Sequence, residues 1–89
     1  MRTITLDLER MTSVPALHKY LRSALALPAH YGANLDALYD CLTEIAEPTQ
    51  IIVPANVADN EKFGWYGEQL LQVLQDAAEE NENLQVTVK

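Results

Sequence analysis

Cysteine and glycine are scarce in this chain of 89 residues. Cys41 is the only cysteine, so an intramolecular disulfide is impossible, and one cysteine with two histidines does not make a structural zinc site. The three glycines form no glycine-rich loop of the kind that cradles phosphate groups. We therefore expect neither a metal site nor a cofactor.

Long apolar runs are also absent. The first ten residues, MRTITLDLER, contain no apolar core of a signal peptide, and no stretch approaches the ~18 apolar residues that a membrane span requires. Hydrophobic residues make up 48% and charged residues 21% of the chain, which is typical of globular rather than disordered proteins. We expect a cytoplasmic protein that folds as one domain over residues 1–89.

Basic residues are also few. Thirteen Asp and Glu residues against six Lys and Arg residues give a formal net charge of -7. Direct binding to nucleic acid or to an anionic membrane depends on Lys and Arg, so this balance argues against both. No Lys or Arg occurs between Ser23 and Glu61, and none occurs from Phe63 to Val88. Solubility alone would explain the net charge, and a basic partner is the alternative.

The hydrophobic pattern predicts an α/β fold. Alternating apolar residues indicate strands at both ends of the chain, and helical spacing indicates three helices between them. Strands separated by helices usually lie parallel in one sheet, so we expect a small three-stranded parallel sheet with helices packed mainly over one face. The predicted segments are a strand at 3–9, a helix from Pro15 to Leu27, a helix from Asn34 to Glu47, a strand at 51–53, a helix ending near Asn81 and a strand at 84–88.

Local signals set the helix ends in this prediction. Thr12 or Ser13 is a candidate N-cap for the first helix, and Asn34 is a good N-cap for the second. Pro28 and Pro48 are expected to end these two helices, because the residue before a proline is pushed out of the helical region. Residues 54–66 show no clear pattern, and a short helix before Gly64 is one interpretation.

The second predicted helix has an acidic outer face. Asp36, Tyr39, Asp40 and Thr43 follow the spacing i, i+3, i+4 and i+7, and no Lys or Arg in the helix offsets the two aspartates. Like charges at i and i+4 destabilise an isolated helix slightly. A solvated helix face is the plain interpretation, and a binding face with Tyr39 as its aromatic anchor is the functional one. The opposite stripe consists of Leu35, Leu38, Leu42 and Ile45.

The sequence gives little support to catalysis. Asp36 and Asp40 on one exposed helical turn make a poor acid–base pair without a cleft. Cys41 adjoins the apolar stripe, which favours a buried core residue over a nucleophile activated by a histidine such as His18. Ala37 occupies the position where an acyl carrier protein would need its serine. By elimination, we expect a binding protein rather than an enzyme.

The segment Tyr31–Thr43, YGANLDALYDCLT, closely resembles the signature of the barstar family, the intracellular inhibitors of barnase-type bacterial ribonucleases. The likeness extends upstream to Leu25–Pro28 and His18, and downstream through Leu71–Val73 to the last strand. It implies a small domain with three parallel strands and helices packed over them. It also implies a partner, namely a cationic ribonuclease or ribonuclease toxin domain bound 1:1.

The resemblance further implies roles for individual residues. Asp40 matches the family's principal inhibitory carboxylate, which occupies the substrate phosphate position, and Asp36 matches a second acidic contact. Asp76 matches a glutamate that reaches a basic group on the enzyme. The remaining implied contacts are His30, Asn34, Tyr39 and Thr43.

Departures from the family pattern, three of them at the implied contacts and two more at Ile45 and Glu82, together point to a cognate ribonuclease other than barnase. Tyr39 stands where the family has tryptophan, His30 stands where it has tyrosine, and Asp76 is one methylene shorter than glutamate. His30 would also introduce pH dependence. A barstar-like acidic module that binds another basic partner, without nuclease inhibition, is the alternative function. Whether the peptide bond before Pro48 is cis is left open.

Overall fold

The structure is a computed structural model that describes residues 2–8, 13–29, 31–55 and 64–89, with the side chains of residues 64 and 65 excepted. The interpretation of residues 54–66 therefore lies mostly outside the described residues. In chain order the elements are β1 (Arg2–Thr5), α1 (Val14–Ala24), α2 (Leu35–Thr43), β2 (Thr49–Val53), α3 (Gly64–Glu80) and β3 (Leu84–Val88).

The three strands form one parallel sheet in the order β1-β2-β3, which confirms the predicted fold class. In the register, Ile4 pairs with Ile51 and Ile51 pairs with Val86, so three apolar side chains form a row across the sheet. Burial alternates along β2. Alternation of this kind indicates that one face of the sheet is covered and the other is open.

The core lies between the covered face of the sheet and the three helices. Each helix contributes leucines spaced one turn apart, which are completely buried. These are Leu17 and Leu21 of α1, Leu38 and Leu42 of α2, and Leu70 and Leu74 of α3, packed with Ile51 and Val53 of β2. The open face is mainly polar, and across it the Gln50 side chain donates to the Thr87 hydroxyl at 3.1 Å.

The start of α1 confirms the predicted cap, but its end corrects the prediction. Ser13 is the N-cap, and its hydroxyl accepts from the backbone N–H of Ala16 at 3.2 Å. The helix stops at Ala24 rather than Leu27, because Ala26 takes a left-handed conformation with φ of 53°. The backbone N–H of Leu27 then donates to the Arg22 carbonyl at 2.9 Å, which closes the helix end in a Schellman motif.

Two further boundaries differ from the predicted ones. α2 ends at Thr43, well before Pro48, and Ile45 lies beyond the helix while remaining half-buried against the core. β1 ends at Thr5, although Leu6 and Leu8 keep the predicted burial. All peptide bonds among the described residues are trans, including the one before Pro48.

Candidate protein-binding site

Asp36 and Asp40 lie exposed on the outer side of α2, as the helical spacing predicts. Leu38 and Leu42 fix this orientation because they bury the opposite side of the helix completely. Within the part of the chain that the structure describes, neither carboxylate has an ion-pair partner. Both charges are therefore available to a molecule that approaches this face.

Thr43 lies one turn beyond Asp40 and Tyr39, and is half-buried. Its hydroxyl donates to the backbone carbonyl of Asp40 at 2.9 Å. The hydroxyl hydrogen is therefore used within the helix, and only the oxygen lone pairs are left to accept a bond from outside. This arrangement suits a donor on a partner, which is the same requirement that the aspartates impose.

Tyr39 lies where α2 packs against α3. Partial burial raises the pKa of the Tyr39 phenol, and three carboxylates raise it further, namely Glu80, Asp76 and Asp40. Two of the three belong to α3, so the packing of the two helices brings acidic groups of both helices near Tyr39. Asp76 thereby joins the face formed by α2, although it lies far away in the sequence.

The Asp76 carboxylate is exposed, and its Oδ1 accepts from the Gln72 side chain one turn earlier at 2.8 Å. Glu80 lies one turn later on the same side of α3 and is exposed as well. Sequence reasoning missed Glu80 as a site residue. The available signal was its i+4 spacing from Asp76, which places the two carboxylates on one helix face.

The loop before α2 is held by Asn34. Its Oδ1 accepts from the Ala37 backbone N–H at 2.8 Å, which confirms the predicted N-cap, and its Nδ2 donates to the Gly32 carbonyl at 3.1 Å. A Cβ on Gly32 would lie 3.2 Å from that Nδ2, so a larger residue there would crowd the cap. Ala33 between them adopts a positive φ of 54°. Asn34 is exposed, and one of its two N–H donors remains available to a partner.

A buried triad of polar side chains lies beneath this loop. His18 of α1 is 1% exposed; its Nδ1 is hydrogen-bonded to the Tyr31 hydroxyl, and its Nε2 to the Tyr66 hydroxyl at 2.5 Å. Burial lowers the pKa of His18 and raises the pKa of both tyrosines, so all three are neutral near pH 7. The triad joins α1, the loop and α3. The sequence suggested only a packing or surface role for His18.

A pocket of about 230 Å³ opens beside Asp40. Cys41 lies on its wall and is half-buried. Burial, followed by the charges of Glu44 and Asp40, raises the pKa of the thiol, so Cys41 is a protonated and weak nucleophile at neutral pH. The lining residues are Tyr31, Gly32, Ala37, Asp40, Cys41 and Glu44.

The structure thus places six of the seven predicted site residues on one surface, formed by α2, its cap and the neighbouring side of α3. These are Asn34, Asp36, Tyr39, Asp40, Thr43 and Asp76. His30 lies outside the described residues. In the described ranges, no group of three His, Cys, Asp or Glu side chains is arranged to hold a metal ion. No helix in those ranges is long and apolar enough to span a membrane.

Comparison with known proteins relates this chain to a family and to a curated relative. A family model described as "Barstar (barnase inhibitor)" matches residues 1–89. A protein of Bacillus subtilis (strain 168) named "Putative ribonuclease inhibitor YrdF" is 37% identical over 81 residues, which are 90% of this chain and 89% of the relative.

Proposed function

The chain belongs to the barstar family, and from that premise we propose that it inhibits a bacterial ribonuclease of the barnase type by blocking its active site. In this proposal α2 and the loop before it enter the active site, and the inhibitor acts in the cytoplasm as one half of a 1:1 complex. It binds the enzyme itself rather than RNA or a membrane. It has no catalytic role of its own.

The observation that carries the proposal is that Asp36 and Asp40 lie exposed on α2 and have no ion-pair partner among the residues that the structure describes. A ribonuclease must concentrate positive charge around the scissile phosphate, and a carboxylate accepts the same charge-assisted hydrogen bonds that a phosphate accepts. Asp40, which lies near the middle of the acidic face, is the residue that stands in for the phosphate. Asp36 supplies the second carboxylate.

The surrounding groups complete the proposed contact surface. Tyr39 offers an aromatic ring near acidic groups of both helices, and Asp76 with Glu80 extends the negative charge onto α3. Asn34 and Thr43 lie at the two ends of α2 and contribute peripheral contacts, together with His30 in the loop. Because the matching family positions carry other side chains at Tyr39, His30 and Asp76, we propose a cognate ribonuclease distinct from barnase, such as a toxin domain.

The testing experiment is an activity titration of a barnase-type ribonuclease with the wild-type protein and with Asp40→Ala. We expect activity to fall linearly to an end point at one inhibitor per enzyme. Asp40→Ala should weaken inhibition by at least about 100-fold, because it leaves active-site cations buried without a partner. Glu47→Ala is the matched control, since it also removes one exposed negative charge but lies beyond α2 and outside the proposed contact surface.

A lack of inhibition by the wild-type protein, across several barnase-type enzymes and ribonuclease toxin domains, would contradict the proposal. The result would then favour the alternative of an acidic module directed to another basic partner. Equal inhibition by wild type and Asp40→Ala would retain the inhibitor function but reject Asp40 as its central residue.

A further inference from the structure

The pocket beside Asp40 has the size of a single side chain. Its volume of about 230 Å³ lies below the roughly 300–1,000 Å³ of pockets that enclose a whole small molecule. It opens next to the Asp36–Asp40 face, on the side of Asp40 away from Tyr39, because Glu44 and Cys41 continue the helix surface in that direction. A partner that covers the acidic face would therefore cover the mouth of the pocket as well.

The lining of the pocket has two chemical parts. Tyr31, Ala37 and Cys41 provide mainly apolar walls; Tyr31 is only 9% exposed, and its hydroxyl is hydrogen-bonded to His18. Asp40 and Glu44, one helical turn apart and both exposed, provide two carboxylates. Neither has an ion-pair partner among the described residues. The occupant that fits both parts is a long side chain with an apolar stem and a cationic head.

The two carboxylates influence the Cys41 thiol on the pocket wall. The pKa of the Cys41 thiol is raised by burial first, and then by the negative charges of Glu44 and Asp40. The thiol on the pocket wall therefore lies within the electrostatic influence of both carboxylates. The charge of Glu44 thus reaches the inside of the pocket as well as the solvent.

We propose that this pocket accepts an arginine side chain of the partner protein, and that Glu44 is the residue that determines this preference. The inference rests on the proposed function, because it deepens the description of the same partner. A guanidinium group fits better than an ammonium group, since its planar fork can donate to both carboxylates, its face stacks on an aromatic ring, and it is more weakly hydrated. Glu44 was not among the site residues expected from the sequence.

The first test measures the binding of an arginine analogue to the pocket in the absence of any ribonuclease. N-acetylargininamide is titrated into isotopically labelled protein, and chemical shifts are followed at Gly32, Ala37 and Cys41. We expect saturable shifts at these residues with a millimolar dissociation constant. Glu44→Gln should weaken binding at least about threefold, because it halves the negative charge at the pocket. Glu47→Gln, an exposed position outside this pocket, is the matched control and should bind as the wild type does.

Uncharged and lysine analogues test whether the bound side chain must be charged and whether a guanidinium group is preferred to an ammonium group. N-acetylnorleucinamide should cause no comparable shifts, and N-acetyllysinamide should bind more weakly than the arginine probe. The absence of localised shifts with the arginine probe, or an equal response in Glu44→Gln, would overturn the pocket assignment. Binding of the lysine probe at least as tight as that of the arginine probe would overturn the preference for arginine.

The second test uses the ribonuclease titration. Against an enzyme that the wild type inhibits, Glu44→Gln should weaken inhibition about tenfold, which equals about 1.4 kcal/mol, while Glu47→Gln should not. Unchanged inhibition by Glu44→Gln would overturn the role of Glu44 in recognition. If the wild type inhibits no ribonuclease, the proposed function fails. The chemical shifts measured with the arginine probe still show whether the pocket binds an arginine side chain.

Discussion

At the scale of single residues, His18 shows how a buried polar group can support the proposed binding surface without being part of it. Its imidazole joins Tyr31, which begins the loop before α2, to Tyr66 in α3. A neutral imidazole donates from one nitrogen and accepts at the other, so it can satisfy two tyrosine hydroxyls at once. Protonation would remove the acceptor, and one of the two hydrogen bonds would be lost.

This arrangement predicts a specific pH dependence of stability. Because burial lowers the folded-state pKa of His18 below its ordinary 6.5, the unfolded chain binds the proton more readily. The stabilisation is therefore complete above pH 6.5 and is lost as the pH falls through 6.5 toward the folded-state pKa. Urea unfolding at a series of pH values between 8 and 5 should show the free energy of unfolding decreasing over this range.

Substitution of His18 tests this origin of the pH dependence. His18→Gln should be less stable than wild type at pH 8, by about 1–3 kcal/mol for a disrupted buried hydrogen-bond network, and its stability should depend less on pH. A His18→Gln variant with an undiminished slope would show that other groups cause the pH dependence.

At the scale of the elements, the two ends of α1 show what the sequence could and could not predict. Ser13 and Asn34 were predictable caps, because an N-cap is a local bond between a side chain and a backbone N–H three residues later. The end of α1 was not predictable. It depends on Ala26 in a left-handed conformation, where the usual residue is glycine, so the sequence contains no local signal for it.

The end of α1 predicts opposite changes in stability when glycine replaces Ala26 and Ala24. Ala26→Gly should stabilise the protein by about 0.5–1 kcal/mol, since relief of the ~1–2 kcal/mol left-handed penalty exceeds the entropy cost of glycine. Ala24→Gly, inside the last helical turn, should instead destabilise it by about 1 kcal/mol. Thermal unfolding of both variants measures the difference. A lower midpoint for Ala26→Gly would contradict the account of this helix end.

The proposed binding surface was likewise predictable from the sequence only in part. The spacing within α2 was sufficient to place Asp36, Asp40 and Thr43 on one side of a helix, since helical periodicity is a local property. The approach of α3 to Tyr39 and the contact between His18 and Tyr66 depend on tertiary packing. No local pattern encodes them, and Asp76 was assigned to the surface only because of the resemblance to a family.

At the scale of the whole molecule, the dominant property is the separation of charge. Asp40 of α2 lies near Asp76 and Glu80 of α3 around Tyr39, Asp36 lies one turn before Asp40, and the segment from Ala24 to Asn60 contains no Lys or Arg. Together these groups give the α2–α3 side of the molecule a negative field. Such a field steers a cationic protein toward this side before any contact forms, and barnase with barstar is itself the standard example of this effect.

Steering predicts that salt acts on association rather than on dissociation. With an inhibited ribonuclease, raising the ionic strength from about 0.01 M to 0.3 M should slow association at least about tenfold, because the screening length falls well below the size of the protein. The dissociation rate should change much less. Stopped-flow mixing measures the first rate, and displacement by excess competitor measures the second.

The double variant Asp36→Asn with Asp40→Asn is the control for this prediction. Both side chains are exposed, so the free energy of unfolding of the variant should lie within about 0.5 kcal/mol of the wild-type value. Its association rate should depend less on salt. An unfolded double variant would reject the exposed-face assignment, and an unchanged salt dependence would locate the steering charge elsewhere.

The register of the sheet has a consequence for the nascent chain. Arg2 pairs with Thr49, and Thr49 pairs with Leu84, so neither strand pair is a local hairpin and both require closure of a long loop. During synthesis no sheet can form before β2 is made, and β3 joins only at the end. The acidic groups around Tyr39 come together only after α3 is complete. Ribosomes that stall before α3 would therefore yield chains without the assembled acidic surface, and under the proposed function only finished molecules would inhibit the ribonuclease.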